Sequence, residues 1–415
     1  MYLCSLLIKP IPIYRAVNVK NRTFFDDLKK EDYKEWGRRM KYKVLILFAA
    51  LLLLLSACGD SGDVQPMPNP TTVPTVTETP EPTPVQTPAP TPESTPEPEP
   101  ETTPEPYSGP TNPLTGEPME EQYINDRPVA VMLNNLKQAM PQLGNSQADI
   151  IYEVLAEGGI TRMLALYQSV EDVGTIGSVR SARTYYLELA LGHDAIYLHA
   201  GGSPDAYKKI KSWNVTAFDC VNGPYEGTLF WRDKNRIKNN GSVHSVVTSG
   251  ETILELFPTY KIRLEHKDDF AYEMQFAKDG TPADGEQALR ITVPYSYYKT
   301  GVFTYDPETE KYLVEEYGAP YIDGNSGEQI SVTNVLVLKT KCKIISGDDA
   351  GRITVDLTQG EGWYACGGKI IPIHWEKAGV NEQLVYTTQT GEPLNLGIGT
   401  SYVNIIPIEN EITIE

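Results

Sequence analysis

Residues 176–204, IGSVRSARTYYLELALGHDAIYLHAGGSP, read as helix, strand and helix start in quick succession. The apolar spacing after Gly177 predicts a helix of about three turns from Arg180 to Leu191, followed by the apolar strand AIYLHAGG. Ser203, Pro204 and Asp205 then supply an N-cap, a proline at the first helical position and an acid in the first turn for the helix DAYKKIKSW. That cap accounts for Ser203 without a nucleophilic role, since the chain lacks a G-x-S-x-G elbow. On this reading Arg180 and Arg183 are neighbours on one helical face. They stand at the end of the helix whose dipole disfavours cations. Local braces are scarce: the residues three and four beyond Arg180 are Arg183 and Thr184, those beyond Arg183 are Tyr186 and Leu187, and Glu188 lies farther along. Either a carboxylate from elsewhere in the fold or a bound anion must offset the placement.

Working outward, RPVAVMLNN begins an alternation of strand and helix. Ala148 to Glu157 and Ile160 to Gln168 flank Gly158 and Gly159, which predicts a hairpin with a two-residue turn. In that register Leu155 faces Arg162, with Glu153 and Glu157 on its diagonals, so Arg162 is expected on a salt-bridged face. TLFWRD reads as a strand, and Thr248 to Glu251 as a capping box for a short helix that Pro258 ends. Past residue 283 the texture becomes short alternating strands: ALRITVPYS, GVFTY, KYLVEEY, NVLVLKT, RITVDL, KIIPIHW and SYVNIIPI. Turns are expected at 307–309, 323–327 and 347–351. The second has a calcium-loop flavour but not the spacing or final Glu of an EF-hand. The expected fold class is α+β, with a mixed α/β N-terminal domain (111–265) and a smaller mainly-β domain (283–412).

The amino-terminal third carries a different signal. Met40, Lys41 and Lys43 precede an apolar run from Val44 to Leu55 and then Leu55-Ser56-Ala57-Cys58, the pattern of a secretory signal peptide. The run is too short for a spanning helix, which needs about 20 apolar residues. Residues 40–57 are therefore read as a signal peptide, and residues 1–39 as an upstream extension from a start codon placed too early. Residues 58–110, rich in Pro, Thr and Glu, are expected to be a disordered tether. Its stretch from Gly59 to Pro106 contains no Lys or Arg, and as polyproline II it would reach at most about 150 Å.

The chain has 36 basic and 55 acidic side chains and a net charge of −19. Removing residues 1–57 takes 11 basic and 5 acidic groups with it, leaving 25 against 50. Such a surface argues against nucleic acid as a partner, because phosphate backbones require basic faces. It also places membrane attachment on acyl chains rather than on charge. Beyond Cys58 stand Cys220, Cys342 and Cys366, an odd set that cannot all pair internally. Cys342 is expected to share the buried face of a strand with Leu336, Leu338 and Ile344. With no C-x-x-C and no H-E-x-x-H, no metal and no cofactor is expected.

The motifs NPLTGEP, RPVAVMLNN, ADIIYEVLAEGGITRMLALYQ, IGSVRSAR, HAGGSP, WRDKNR, GGKIIPIHWEK and GEPLNLGIGTSYVNIIP together resemble the YerB-like bacterial lipoproteins, over nearly everything from Asn112 to Pro407. Ser178 departs from the proline usual in that family, and Ser245, after His244, from its common asparagine. The Leu-Ser-Ala-Cys sequence resembles a lipobox, which implies a diacylglyceryl group on Cys58 and cleavage before it. The resemblance implies an extracytoplasmic, lipid-anchored protein on the outer face of the cell membrane and a two-part architecture; it brings no reaction. Arg180, Arg183, His199, Arg232, Arg236 and His244 are the candidate ligand-binding residues, for an anion such as phosphate, pyrophosphate or carboxylate. The catalytic residues, if any, stay unassigned. The competing reading pairs each arginine with an internal acid, as Asp233 would serve Arg232 or Arg236. The expected partner is a cell-wall component or a membrane protein. A looser echo of the LytR-CpsA-Psr phosphotransferases leaves a phosphoryl or glycosyl transferase or hydrolase as the alternative.

Overall fold

Residues 108–415 are described by the computed structural model. The extension, the signal peptide, Cys58 and nearly all of the tether lie outside the described residues. The first eight strands are β1 (Val129–Asn134), β2 (Ile150–Leu155), β3 (Thr161–Tyr167), β4 (Thr175–Gly177), β5 (Ile196–His199), β6 (Ala217–Asp219), β7 (Trp231–Arg232) and β8 (Val246–Ser249). The helices are α1 (Thr184–Gly192), α2 (Pro204–Ser212), α3 (Lys234–Asn240) and α4 (Gly250–Leu256). Later strands are given by their residues, and strands far outnumber helices.

One sheet of eleven strands runs through both parts of the sequence. Its order is Glu286–Gln287, Lys369–Glu376, Gln359–Cys366, Asn334–Thr340, Ser401–Pro407, β2, β3, β1, β5 and β6, with Val385–Thr388 beside Lys369–Glu376. Ser401–Pro407 is parallel both to β2 and to Asn334–Thr340, and so stitches the two parts together. β1, β5 and β6 are mutually parallel. Every position of β1 and β3 is buried, which follows from their nearly continuous apolar sequence: both faces of this sheet are covered.

On one face Ala130, Met132, Leu164, Leu166, Tyr197, Val403 and Ile405 meet Tyr185, Tyr186, Leu187 and Leu189 of α1. On the other, Val131, Leu133, Ala165, Leu198, Tyr402 and Ile406 share a core with Ile291, Val293, Phe303, Tyr312 and Val314 of a second, antiparallel sheet. Each Val, Leu, Ile, Phe or Met among them contributes roughly 1.5–3 kcal/mol on full burial. The second sheet is built around Arg290–Pro294, Thr300–Asp306 and Lys311–Glu316.

Several local expectations are corrected. The β2–β3 hairpin exists, but the Ala156 N–H donates to the Ile160 carbonyl across three residues, with Gly158 and Gly159 both at positive φ. The register therefore slips by one: Leu155 faces Thr161, and Arg162 faces Val154. Helix α1 starts at Thr184, so Arg180 and Arg183 precede it and share no helical face. Ser203 caps α2 as expected, accepting from Ala206 N at 3.2 Å. The cap of α4 is Ser249, paired with Thr252 rather than with Glu251. TLFWRD yields only the two-residue β7. The strand at Cys342 breaks at Lys341, and Cys342–Ile344 pairs separately with Ile353–Val355. Cys342 is consequently only half-buried, and Ile344 is exposed. Asp323, in the turn once likened to a calcium loop, is buried; it accepts from Gly144 N, Ser146 N and Ser146 Oγ and so fastens the N-terminal part.

Candidate functional site

The parallel strands β1, β5 and β6 end together at Asn134, His199 and Asp219, and the start of β3 brings Arg162 opposite Asn134. Ser178 to Arg183 crosses this edge in extended form. Its backbone is committed there: Asn134 N donates to Ser178 O, Arg180 N to Met132 O, Ala200 N to Arg180 O and Ala182 N to Gly201 O. Those bonds keep the segment out of the helix that side-chain spacing alone predicts. The edge lies where the carboxyl ends of parallel strands commonly leave a crevice.

Three guanidinium groups gather at this segment, Arg180 and Arg183 from it and Arg162 from β3. Arg162 donates to Ser181 O at 2.9 Å and to Glu157 Oε1 at 2.6 Å. Arg183 donates through Nε to Glu157 Oε2 at 3.0 Å, through a terminal nitrogen to Glu157 Oε1, and to Ala182 O. Arg180, half-buried, donates to the Val243 carbonyl at 3.0 Å and forms no ion pair among the described residues. Burial, then the charges of Arg162 and Arg183, lower its pKa to about 10. Glu157 would be pushed up by burial, but Arg162 and Arg183 outweigh that and hold it at about 2. One carboxylate thus serves two cations, with a third beside them. The structure supplies the tertiary brace that the sequence around Arg183 lacks, and it leaves Arg180 without one.

The remaining candidates are held differently. Arg236 is buried and donates to the carbonyls of His244, Pro141 and Ala139, as a backbone brace. Asp233 does not pair with its guanidinium but caps α3 by accepting from Arg236 N. Arg232 pairs with Glu226 at 2.8 Å and donates to Ser242 O. His244 contacts Asn134 Nδ2 through Nδ1 at 2.7 Å. Burial, then Arg180 and Arg236, lower its pKa. His199 donates from Nδ1 to Gly201 O at 2.8 Å, with Asp219 Oδ1 at 3.8 Å; burial lowers its pKa against the pull of Asp219. Asp219 is itself occupied by Gly201 N, Val221 N and Tyr207. The edge therefore brings Arg180 together with Arg183 and His244, while Arg232 and Arg236 serve the neighbouring loops. Sequence reasoning placed Glu157 near Arg162 but missed it as the partner of Arg183, because that contact spans 26 residues of chain.

Clefts of ≈ 590 and ≈ 580 Å³ lie on either side of residues 279–281, and none of the six candidates lines them. Among the described residues no group of three His, Cys, Asp or Glu side chains is placed to hold a metal ion. No helix among them is long and apolar enough to cross a membrane.

Residues 114–263 match the N-terminal domain, and residues 291–403 the C-terminal domain, of a family described as a protein of unknown function, DUF3048. YerB of Bacillus subtilis (strain 168), provisionally named a lipoprotein, is 34% identical over 300 residues, 71% of this chain and 86% of that protein. The chain belongs to the DUF3048 family. The crystal structure of Bacillus subtilis YerB superposes with a TM-score of 0.64 at 30% identity, covering 73% of this chain and 99% of that one. All six candidate residues fall in the N-terminal DUF3048 region, and the strand that seats β2 begins at the end of the C-terminal region.

Proposed function

We propose that this protein is a lipoprotein held at the outer face of the cell membrane by a lipid on Cys58, and that the β1–β5 edge takes up an anionic group from an envelope component. The name of the Bacillus relative supports the first half. The second half rests on one observation: the single carboxylate at this edge, Glu157, is taken by Arg162 and Arg183, and Arg180 beside them has only a backbone carbonyl. An anion beside Arg180 would offset both the burial and the repulsion from Arg162 and Arg183 that lower its pKa, in a partly dehydrated place where charge-assisted hydrogen bonds are strong. The parallel strands β1, β5 and β6, with α1 and α2 between them in sequence, also support reading residues 111–265 as a mixed α/β unit.

Replacing Arg180 and Arg183 together would disturb Glu157, so the cleaner test is Arg180→Gln alone. Calorimetric titration of the detergent-solubilised protein with inorganic pyrophosphate should show binding that the variant loses at an unchanged melting temperature. Equal binding by both would refute the site. Fatty-acid labelling tests the anchor: the label should disappear in Cys58→Ser. The transferase or hydrolase alternative needs a free acid or base at this edge, and both oxygens of Glu157 are already taken by the arginines. Magnesium-dependent turnover of a lipid-linked pyrophosphate would favour it nevertheless.

A further inference from the structure

A second charged cluster lies inside the molecule, where β2 faces the second sheet. Lys299, just before the strand Thr300–Asp306, is wholly buried, as is Glu153 of β2; Glu316, at the end of Lys311–Glu316, is 4% exposed. Gly301 stands opposite Glu316 in the ladder, which sets Lys299 beside it. Lys299 Nζ lies 3.0 Å from Glu153 Oε1 and in contact with Glu316 Oε2. The rings of Tyr317 and Tyr295 flank the same nitrogen at 4.8 and 5.7 Å.

The two carboxylates are not equivalent. Glu153 is fully engaged: Asn135 Nδ2 and Thr161 Oγ1 donate to Oε1, and the Tyr402 hydroxyl donates to Oε2. Glu316 receives only a long contact from Tyr402, at 3.4 Å to Oε1, and its Oε2 meets no donor but Lys299. Two carboxylates against one ammonium in a dry interior leave an unbalanced charge, an arrangement whose desolvation cost is large.

We propose that Lys299 and Glu316 condense into an intramolecular isopeptide bond, with Glu153 relaying the proton. Nζ attacks the Glu316 carboxyl carbon, the Nζ–Cδ bond forms and one C–O bond breaks. The ammonium gives up two protons, and these leave with the carboxylate oxygen as one water. Glu153 accepts a proton from Nζ and passes it to the departing oxygen. No oxidant or co-reactant enters. Attack requires the neutral amine, and burial lowers the Lys299 pKa against the opposing pull of Glu153. Fixed contact between the reacting groups supplies the proximity that makes such steps fast, and exclusion of water disfavours reversal. Afterwards a single carboxylate remains, Glu153, with its three donors intact. The cysteines among the described residues are all free, so this bond would be the covalent brace of the fold.

The test is the mass of the purified protein after denaturation. The expected mass is about 18 Da below that of the unlinked chain, the loss of one water, with a branched peptide joining the segments around Lys299 and Glu316 after digestion. An unmodified mass in the wild-type chain overturns the proposal, whatever the variants do. Lys299→Arg and Glu316→Ala should each restore the unlinked mass, and persistence of the loss in either would place the bond elsewhere and overturn the assignment. Glu153→Gln should also leave the chain unlinked; complete linkage in that variant would remove Glu153 from the relay.

Discussion

The arginine edge and the Lys299 cluster are opposites in sign and in surroundings. At the edge three cations gather where there is one carboxylate, Glu157, which two of them bind and which keeps about a fifth of its side chain in water; in the interior two carboxylates share one lysine with essentially none. The difference teaches what imbalance can be used for. Where water still reaches, an excess charge is tolerable and open to a ligand. Where it does not, the excess must be neutralised by protonation or removed by chemistry.

The contrast breaks first at Lys299. Lys299→Met leaves two carboxylates facing one another in the core and is expected to lower the unfolding free energy by about 3–5 kcal/mol, measured by urea denaturation; an unchanged midpoint would mean the interior pays no penalty for its charges. Glu157→Gln comes next, at about 1.5–3 kcal/mol, because the hydrogen bonds it forfeits are to charged donors but are partly hydrated. The same group gives the edge a pH signature. Its pKa is depressed from 4.5 to about 2 in the fold, so its stabilisation is complete above about 4.5 and drains away as pH falls toward 2. The gap between wild type and Glu157→Gln should close in that window. Arg180→Gln should change stability by less than about 1 kcal/mol, since it breaks no ion pair, and this smallness separates a binding arginine from a bracing one. At the bottom of the scale, Tyr297→Ser, at a ring 92% exposed, should fall within about 0.5 kcal/mol.

Much of this architecture is written in short-range pattern. The strands between residues 290 and 316 alternate as expected, whereas Asn334–Thr340 and Ser401–Pro407 are buried on both faces inside the large sheet; Ser203 caps α2 because Ser-Pro-Asp before an amphipathic run has one good use. What was illegible depended on partners distant in sequence. The three-residue turn after Ala156 contains the same two glycines that a two-residue turn would use, so composition could not fix the register of Arg162. The start of α1 is set by β1 and the Ala200–Gly201 loop, which claim the backbone of residues 180–182 before a helix can. The interior cluster did leave a trace: Tyr312, Val314 and Glu316 alternate on one buried face, and an acid in the last of those places announces a buried partner. Glu153 amid IIYEVL is a similar flag, misread as belonging to Arg162.

Ser401–Pro407, wedged between β2 and Asn334–Thr340, carries a consequence for biogenesis. While the ribosome is still adding residues, both neighbours of that missing slat present raw backbone rims with nothing to zip onto. The molecule is assembled like an arch whose keystone is delivered after both of the stones it joins. A chain clipped before Ser401 would therefore lose its middle rather than its fringe, and would be handled by the cell as unfinished goods.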